Sequence, residues 1–192
     1  MRTDWKMHFD DQPSGVVFLL IYIHGMDSGP FGRRALRLRE AFPNMVMPQL
    51  TNELTWRVDA LATLIIEPSI LVGSSLGGLT SLVFARDYPE RVQALVLIAP
   101  AVGFFDPEYD TPEINEKLCE LVIPPKIPTF ILAGTQDEVI RLSAIEALVA
   151  RSEPGPILKQ VTDDHLLLSE AAWRLQREAI DNAMQLVKER PN

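Results

Sequence analysis

The sequence predicts an α/β protein in which helices cover both faces of a mainly parallel sheet, a three-layer α/β/α sandwich. Short apolar runs rich in β-branched residues alternate with longer amphipathic segments along the chain. The apolar runs are continuous, which is typical of parallel strands buried on both faces. Gly or Pro bounds most of them. Alternation of this kind favours right-handed strand–helix–strand crossovers.

The strands follow from the apolar runs. Four runs are strong and two are weaker: Val16–Ile23, Ile70–Val72, Val92–Ile98 and Thr129–Ala133, then Met45–Met47 and Ile157–Val161.

The helices follow from apolar residues that recur at helical spacing. The predicted helices are Phe31–Phe42, Trp56–Ile66, Leu76–Tyr88, Leu142–Arg151 and Glu170–Glu189. Within them, Trp56 and Trp173 are expected on the faces that pack against the core.

The length of 192 residues fits one domain, and we find no internal repeat or linker that would divide it. We therefore predict a single domain over residues 1–192. Residues 1–14 are expected to form an N-terminal tail or a short edge strand, and residues 100–127 a short cap over the sheet.

The charge balance excludes several classes of partner. Acidic residues outnumber basic ones by 26 to 18, and the resulting net charge of −8 gives no basic surface for nucleic acid or an anionic membrane. The longest apolar run has eight residues, against about 20 for a membrane span. The first residues also lack the apolar core of a signal peptide. A cytoplasmic protein is expected.

The single cysteine, Cys119, excludes an internal disulfide. The sequence also lacks the ligand spacing of a zinc site. We therefore predict no bound metal.

A candidate nucleophile follows the strand that ends at Val72. Gly73-Ser74-Ser75-Leu76-Gly77 contains the pattern G-x-S-x-G, centred on Ser75. A nucleophile on a sharp strand-to-helix turn crowds the residues two before and two after it, and Gly73 and Gly77 remove that clash. The alternative is a glycine-rich helix start or phosphate loop in which Ser75 is only an N-cap.

A serine nucleophile needs a base, and the base needs an acid that orients it. Of the three histidines, only His165 follows Ser75 in the chain, and it lies just after the last predicted strand. Asp137 follows the strand before it and is the candidate acid. The alternatives are that His165 is a surface histidine, that Asp137 caps a helix, and that Glu138 is the acid.

The loop after the first strand, His24-Gly25-Met26, is the candidate for half of an oxyanion hole. The His–Gly step allows a sharp turn that directs the Met26 amide towards the nucleophile, where it would converge with the Leu76 amide. His24 is interpreted as a histidine that holds this loop, with a role as a second base as the alternative.

At these residues the sequence resembles the α/β-hydrolase superfamily, above all its small members, the YqiA-type esterases and compact acyl-thioesterase relatives. The motifs that carry the resemblance are IYIHGMDSGP, LVGSSLGGLTSLVFARDYPERVQALVLIAPAVG, LAGTQDEVI and DDHLLL, in that order. The resemblance implies a serine hydrolase that uses no cofactor, with Ser75, Asp137 and His165 as its catalytic triad.

The predicted cap carries several acidic residues around the apolar pair Phe104 and Phe105. One interpretation is a short amphipathic helix with a solvated acidic face. The other is that Phe104 and Phe105 line an acyl pocket.

These observations favour hydrolysis of a small-molecule ester or thioester through an acyl-enzyme. Two alternatives stay open. One is a thioesterase acting on acyl-protein or acyl-CoA, and the other is a binding protein that keeps the hydrolase fold without its activity, because a fold alone does not imply a reaction.

Overall fold

The computed structural model describes residues 18–152 and 155–190. The predicted N-terminal tail or edge strand and the first two residues of the Val16–Ile23 run lie outside these ranges. The described elements, in chain order, are the strands and helices β1 (Leu19–Ile23), α1 (Arg33–Ala41), α2 (Leu54–Leu64), β2 (Ser69–Ser74), α3 (Leu76–Asp87), β3 (Val92–Ile98), α4 (Pro112–Glu120), β4 (Thr129–Gly134), α5 (Leu142–Ala150), β5 (Ile157–Val161) and α6 (Glu170–Glu189).

The five described strands form one parallel sheet in the order β1-β2-β3-β4-β5. β2, β3 and β4 occupy its centre and are almost wholly buried, which explains their continuous apolar sequences. The predicted α/β/α class is confirmed.

Alternate residues of each central strand enter separate hydrophobic clusters on the two faces of the sheet. On β2, Leu71 joins the cluster covered by α2, α3 and α5, whereas Ile70 and Val72 join the cluster covered by α1 and α6. The helices therefore form the two outer layers of the sandwich and fix the sheet between them.

The prediction of a strand over Met45–Met47 is wrong. Only Val46 forms an isolated parallel bridge with Ile21, through two main-chain hydrogen bonds of 2.8 Å to the flanking residues of β1. This single bridge holds the connection between α1 and α2 beside β1 and does not add a strand to the sheet.

The two tryptophans differ. Trp173 on α6 is 9% exposed and packs in the core as predicted. Trp56 on α2 is 66% exposed, so the prediction that it faces the core is wrong. Its neighbour Arg57 is fully buried instead.

No helix within residues 18–152 and 155–190 is long and apolar enough to cross a membrane.

Candidate active site

Ser75 lies at a sharp turn between β2 and α3. Its backbone angles, φ 53° and ψ −119°, fall in the left-handed half of the Ramachandran plot, where a non-glycine residue is strained. The surrounding fold holds this strain in place, because the Ser75 amide donates to the Ile98 carbonyl at 2.9 Å. Ser75 thus ends the strand and begins the helix within one residue.

The glycines of the motif are required by close backbone contacts. A Cβ atom on Gly73 would lie 2.4 Å from the Gly77 carbonyl oxygen, and a Cβ on Gly77 would lie 1.9 Å from the Ile23 carbonyl oxygen. Both distances are far below van der Waals contact. The crowding predicted between the positions two before and two after Ser75 is present, and Gly77 in addition packs against the end of β1.

The structure brings Ser75, His165 and Asp137 together. Ser75 Oγ lies 3.1 Å from His165 Nε2, and His165 Nδ1 lies 2.9 Å from an oxygen of Asp137. The three residues follow β2, β5 and β4, so they meet at the carboxyl edge of the sheet, where parallel α/β folds place their sites. Glu138 is exposed and makes no ion pair with His165.

Asp137 is held as an anion beneath the histidine. Its side chain is 2% exposed, and its second oxygen accepts the amides of Val139 and Ile140 at 2.9 and 2.8 Å. Burial raises the pKa of Asp137, but the hydrogen bonds from His165 and from these two amides outweigh burial and leave the pKa below its ordinary value. The carboxylate therefore accepts three hydrogen bonds, one of which orients the imidazole.

His24 holds the loop after β1 and does not face the nucleophile as a second base. Its Nδ1 donates to the Gly25 carbonyl at 2.8 Å, and its Nε2 accepts the Leu50 amide at 3.1 Å. Burial lowers the pKa of His24, which favours the neutral ring that this pattern of one donor and one acceptor requires.

The candidate oxyanion donors, Met26 and Leu76, both line the same cavity as Ser75 and His165. Among the described residues, neither main-chain amide donates to a protein acceptor. Gly25 approaches the nucleophile so closely that a Cβ there would lie 3.3 Å from Ser75 Cβ. Two residues whose amides lack a protein acceptor among the described residues thus line the cavity that holds the Ser75 hydroxyl.

Arg57 supports this loop from below and was not expected from the sequence. Its guanidinium donates to the Thr80 hydroxyl at 2.9 Å, to the Thr51 carbonyl at 2.7 Å and to the His24 carbonyl. Burial lowers the pKa of Arg57 to about 10. The sequence signal was its position on the apolar face of α2, one residue before the buried Val58.

Arg34 on α1 was also missed. Its guanidinium donates to the Ser74 hydroxyl and to the Leu166 carbonyl, the neighbours of the candidate nucleophile and base. The nearby Tyr22 hydroxyl contacts this group from β1. Burial lowers the pKa of Arg34 and raises that of Tyr22.

A cavity of about 450 Å³ opens beside Ser75. One side is apolar and is formed by residues that include Ala101, Phe104, Tyr109 and Val139. The Phe104 and Tyr109 rings pack with their centroids 5.4 Å apart.

Phe105 does not line this cavity, so its predicted place in the acyl pocket is wrong. The side chain is 50% exposed, and Arg141 Cζ lies over its ring at 5.6 Å from the ring centroid. Successive residues of an extended segment point to opposite sides, which separates Phe105 from Phe104.

Among residues 18–152 and 155–190, no group of three or more His, Cys, Asp or Glu side chains is arranged to hold a metal ion.

Comparison with known proteins supports the assignment of the fold. The family model of the alpha/beta hydrolase fold matches residues 49–120. Mouse alpha/beta hydrolase domain-containing protein 10 superposes with a TM-score of 0.71 at 22% identity, over 91% of this chain and 92% of that one. A monoacylglycerol lipase of Paleococcus ferrophilus gives the same TM-score at 14% identity, over 87% and 94%. The chain therefore has the α/β-hydrolase fold, as its motifs predicted, and residues 49–120 match the family model. The narrower resemblance to YqiA-type esterases stays a prediction.

Two curated relatives match part of the chain. A 2-hydroxy-6-oxononadienedioate/2-hydroxy-6-oxononatrienedioate hydrolase of Paraburkholderia phymatum is 32% identical over 122 residues, 53% of this chain and 42% of that protein. An uncharacterized carboxylesterase of Bacillus subtilis is 34% identical over 71 residues, 37% of this chain and 24% of that protein. The chain thus spans less than half the length of these curated relatives.

Proposed function

We propose that this protein is a serine hydrolase that cleaves a carboxylic ester or thioester of a small or acyl substrate. The observation that carries the proposal is the continuous hydrogen-bonded chain from Asp137 through His165 to Ser75, at 2.9 and 3.1 Å. A hydroxyl joined in this way to an oriented base is the arrangement that serine nucleophiles require. The names of the two curated relatives, a hydrolase and a carboxylesterase, support the same class.

In the acylation step, Ser75 Oγ attacks the substrate carbonyl carbon while its proton moves to His165 Nε2. The Met26 and Leu76 amides stabilise the tetrahedral oxyanion, and one such donor is worth about 3–4 kcal/mol in the transition state. The intermediate collapses when the bond to the leaving oxygen or sulfur breaks. His165 gives its proton to that atom, and the acyl group remains on Ser75.

In the deacylation step, His165 takes a proton from water, and the resulting hydroxide attacks the acyl-enzyme carbonyl. Collapse of the second intermediate returns the proton to Ser75 and releases the carboxylic acid. Asp137 stays ionised throughout, because its three hydrogen bonds stabilise the carboxylate. It stabilises the imidazolium that forms in each step.

The shape of the cavity supports an acyl substrate with an apolar portion. Phe104, Tyr109 and Val139 line the side that would receive it, and the volume of about 450 Å³ is in the range of small-molecule sites. A thioesterase reaction would use the same residues, because only the leaving atom differs.

The proposal is tested with a fluorophosphonate probe, followed by intact mass and peptide mapping. The expected result is one adduct on Ser75 in the native protein, none in Ser75→Ala and none after heat denaturation. The matched control is Ser143→Ala, because Ser143 is an exposed helix serine outside the cavity. No adduct in the folded protein would overturn the proposal and favour a binding protein without activity.

The acyl side is tested with esters and matched thioesters of increasing chain length. Phe104→Ala removes a ring that lines the cavity, so we expect the preference to move towards longer chains. Phe105→Ala removes a ring of the same size outside the cavity and should leave the preference unchanged. An equal change in both variants would contradict the assignment of the acyl pocket. The ratio of kcat/KM for each thioester to kcat/KM for the matched ester decides between esterase and thioesterase.

A further inference from the structure

We infer that Arg34 is a positioning residue that sets the distance between the nucleophile and the base. The inference rests on the proposed function, since it concerns the geometry of the same triad. Arg34 lines the same cavity as Ser75 and His165 but forms no hydrogen bond with either, and its two bonds go to the residues next to them.

The contacts join two distant parts of the chain. One end of the Arg34 guanidinium donates to the hydroxyl of Ser74, the residue before the nucleophile. The other end donates to the carbonyl of Leu166, the residue after the base. Ser74 is 5% exposed and closes β2, whereas Leu166 belongs to the loop between β5 and α6. The planar group therefore joins the loop that carries Ser75 to the loop that carries His165, and the distance between these two residues has to stay fixed for proton transfer.

Arg34 is half-buried at the wall of the cavity and, within the part of the chain that the structure describes, lacks the carboxylate partner that usually accompanies a partly buried arginine. Arg34 forms no salt bridge with a described carboxylate, although the charge of Asp163 acts on it from nearby. Its Nε atom is buried without a partner among the described residues. Withdrawing part of a cation from water costs free energy, and here the two terminal nitrogens of the guanidinium donate to neutral acceptors beside the triad. A purely stabilising role accounts poorly for this choice of partners.

The geometry also explains why the residue is an arginine. A guanidinium presents donors in a rigid plane and holds two acceptors at a fixed separation, whereas a lysine ammonium is a point charge on a flexible stem. Arg34→Lys therefore keeps the positive charge and removes the fixed spacing. The variant separates an electrostatic contribution from a positional one.

The experiment compares wild type, Arg34→Lys, Ser74→Ala and the double variant. The measurements are the rate constant of Ser75 labelling by the fluorophosphonate, kcat and KM for an uncharged ester, and Tm. Because a displacement of about 1 Å in a reacting group can cost about 100-fold, we expect Arg34→Lys to lower kcat and the labelling rate about 10- to 100-fold, with KM changed less than about threefold. Ser74→Ala should lower both rates less, and it should add nothing in the Arg34→Lys background.

Arg37→Lys is the matched control. Arg37 lies one turn further along α1 and ties it to α6 through Glu170 at 2.5 Å and the Trp173 ring at 4.5 Å, away from both loops. Its rates should stay near those of wild type. A loss in Arg37→Lys equal to that in Arg34→Lys would show that any weakening of α1 suffices and would overturn the inference.

The remaining outcomes separate the two proposals. If wild type is not labelled at Ser75, the proposed function fails. If wild type is labelled and Arg34→Lys matches it, only the positioning role fails. A raised KM with unchanged kcat would mean that Arg34 contacts the substrate directly, and additive effects of Arg34→Lys and Ser74→Ala would mean that the two residues act independently; either result would overturn the inference. Should Arg34→Lys fail to fold, Ser74→Ala alone decides, because unchanged rates in that variant would overturn the inference.

Discussion

At the scale of single residues, the strained turn at Ser75 depends on the absence of a side chain at position 77. Gly77→Ala would place a Cβ 1.9 Å from the Ile23 carbonyl oxygen, and rigid backbone on both sides cannot absorb that overlap. We expect the turn to move, with a loss of several kcal/mol in the free energy of unfolding and of most Ser75 labelling. Chemical denaturation and probe labelling measure the two effects.

The matched control is Gly155→Ala, where a Cβ would lie 3.8 Å from the Ser152 carbonyl oxygen, an ordinary contact and the nearest one among the described residues. This variant should stay within about 0.5 kcal/mol of wild type. If Gly77→Ala were equally harmless, the turn would not depend on close packing at this position.

The state of Asp137 predicts a pH dependence of stability. Its folded pKa lies below its ordinary value, so ionised Asp137 stabilises the protein above about pH 4, and that stabilisation is lost as the pH falls through the folded pKa. The difference in the free energy of unfolding between wild type and Asp137→Asn should therefore be largest near neutral pH and shrink below about pH 4. Denaturation curves from pH 7 to pH 3 measure it.

Asp137→Asn should also lower kcat about 10⁴-fold, because an amide favours the wrong imidazole tautomer. Glu138→Gln is the control, since Glu138 is exposed and was the alternative acid. A comparable loss in Glu138→Gln, with activity kept in Asp137→Asn, would exchange the two roles.

At the scale of elements, a main-chain bridge and an ion pair join the segment that carries α4 to the loop that carries Asp137. Phe104 forms an antiparallel bridge with Ile140, and the Arg141 guanidinium donates to Asp110 at 2.8 Å. The segment that shapes the acyl side therefore rests on the same loop that orients the base. The segment and the triad share one residue, Ile140, which forms the bridge to Phe104 and whose amide donates to Asp137.

Asp110→Asn should loosen this segment and leave the sheet intact. We expect faster amide exchange over residues 104–120 and a raised KM for acyl esters, with Tm and the labelling rate of Ser75 near wild type. Lys159→Gln is the control, because its ion pair with Glu178 joins β5 to α6 away from the cavity. Faster exchange spread over the sheet in Asp110→Asn would contradict a local effect.

Periodicity predicted the elements well where one pattern dominated. The bounds of β3, β5 and α6 match the predicted segments residue for residue. The strand predicted over Met45–Met47 was wrong because a short apolar stretch has the same composition whether it forms a single bridge or a strand.

The site was predictable where local backbone chemistry dictates a residue type, as at Gly73 and Gly77. It was not predictable where the partners lie far apart in sequence. Arg34 resembles an ordinary helix-surface arginine, because its two acceptors lie 40 and 132 positions further along the chain. The choice between Phe104 and Phe105 depends on which side of an extended segment faces the cavity.

At the scale of the whole molecule, the two hydrophobic clusters are built from alternate residues of the same strands. Unfolding of one cluster would therefore also disrupt the other. β2 contributes Leu71 to one cluster and Val72 to the other and then leads directly to Ser75. Asp137 and His165 are likewise attached to the ends of β4 and β5. The triad should therefore exist only while the complete sheet exists, and its reactivity should report unfolding of the whole domain.

This cooperativity is tested on α6, the helix furthest along the chain from the nucleophile. Ala183→Lys buries an unpaired charge at a fully buried position and should destabilise by about 3 kcal/mol or more, whereas Leu186→Lys, at a site 40% exposed, should cost less than about 1 kcal/mol. In urea, the midpoints of far-UV circular dichroism and of Ser75 labelling should coincide in wild type and move together in Ala183→Lys. Labelling lost well before the helical signal would mean that the carboxyl edge of the sheet opens on its own, and that the site is less stable than the fold that supports it.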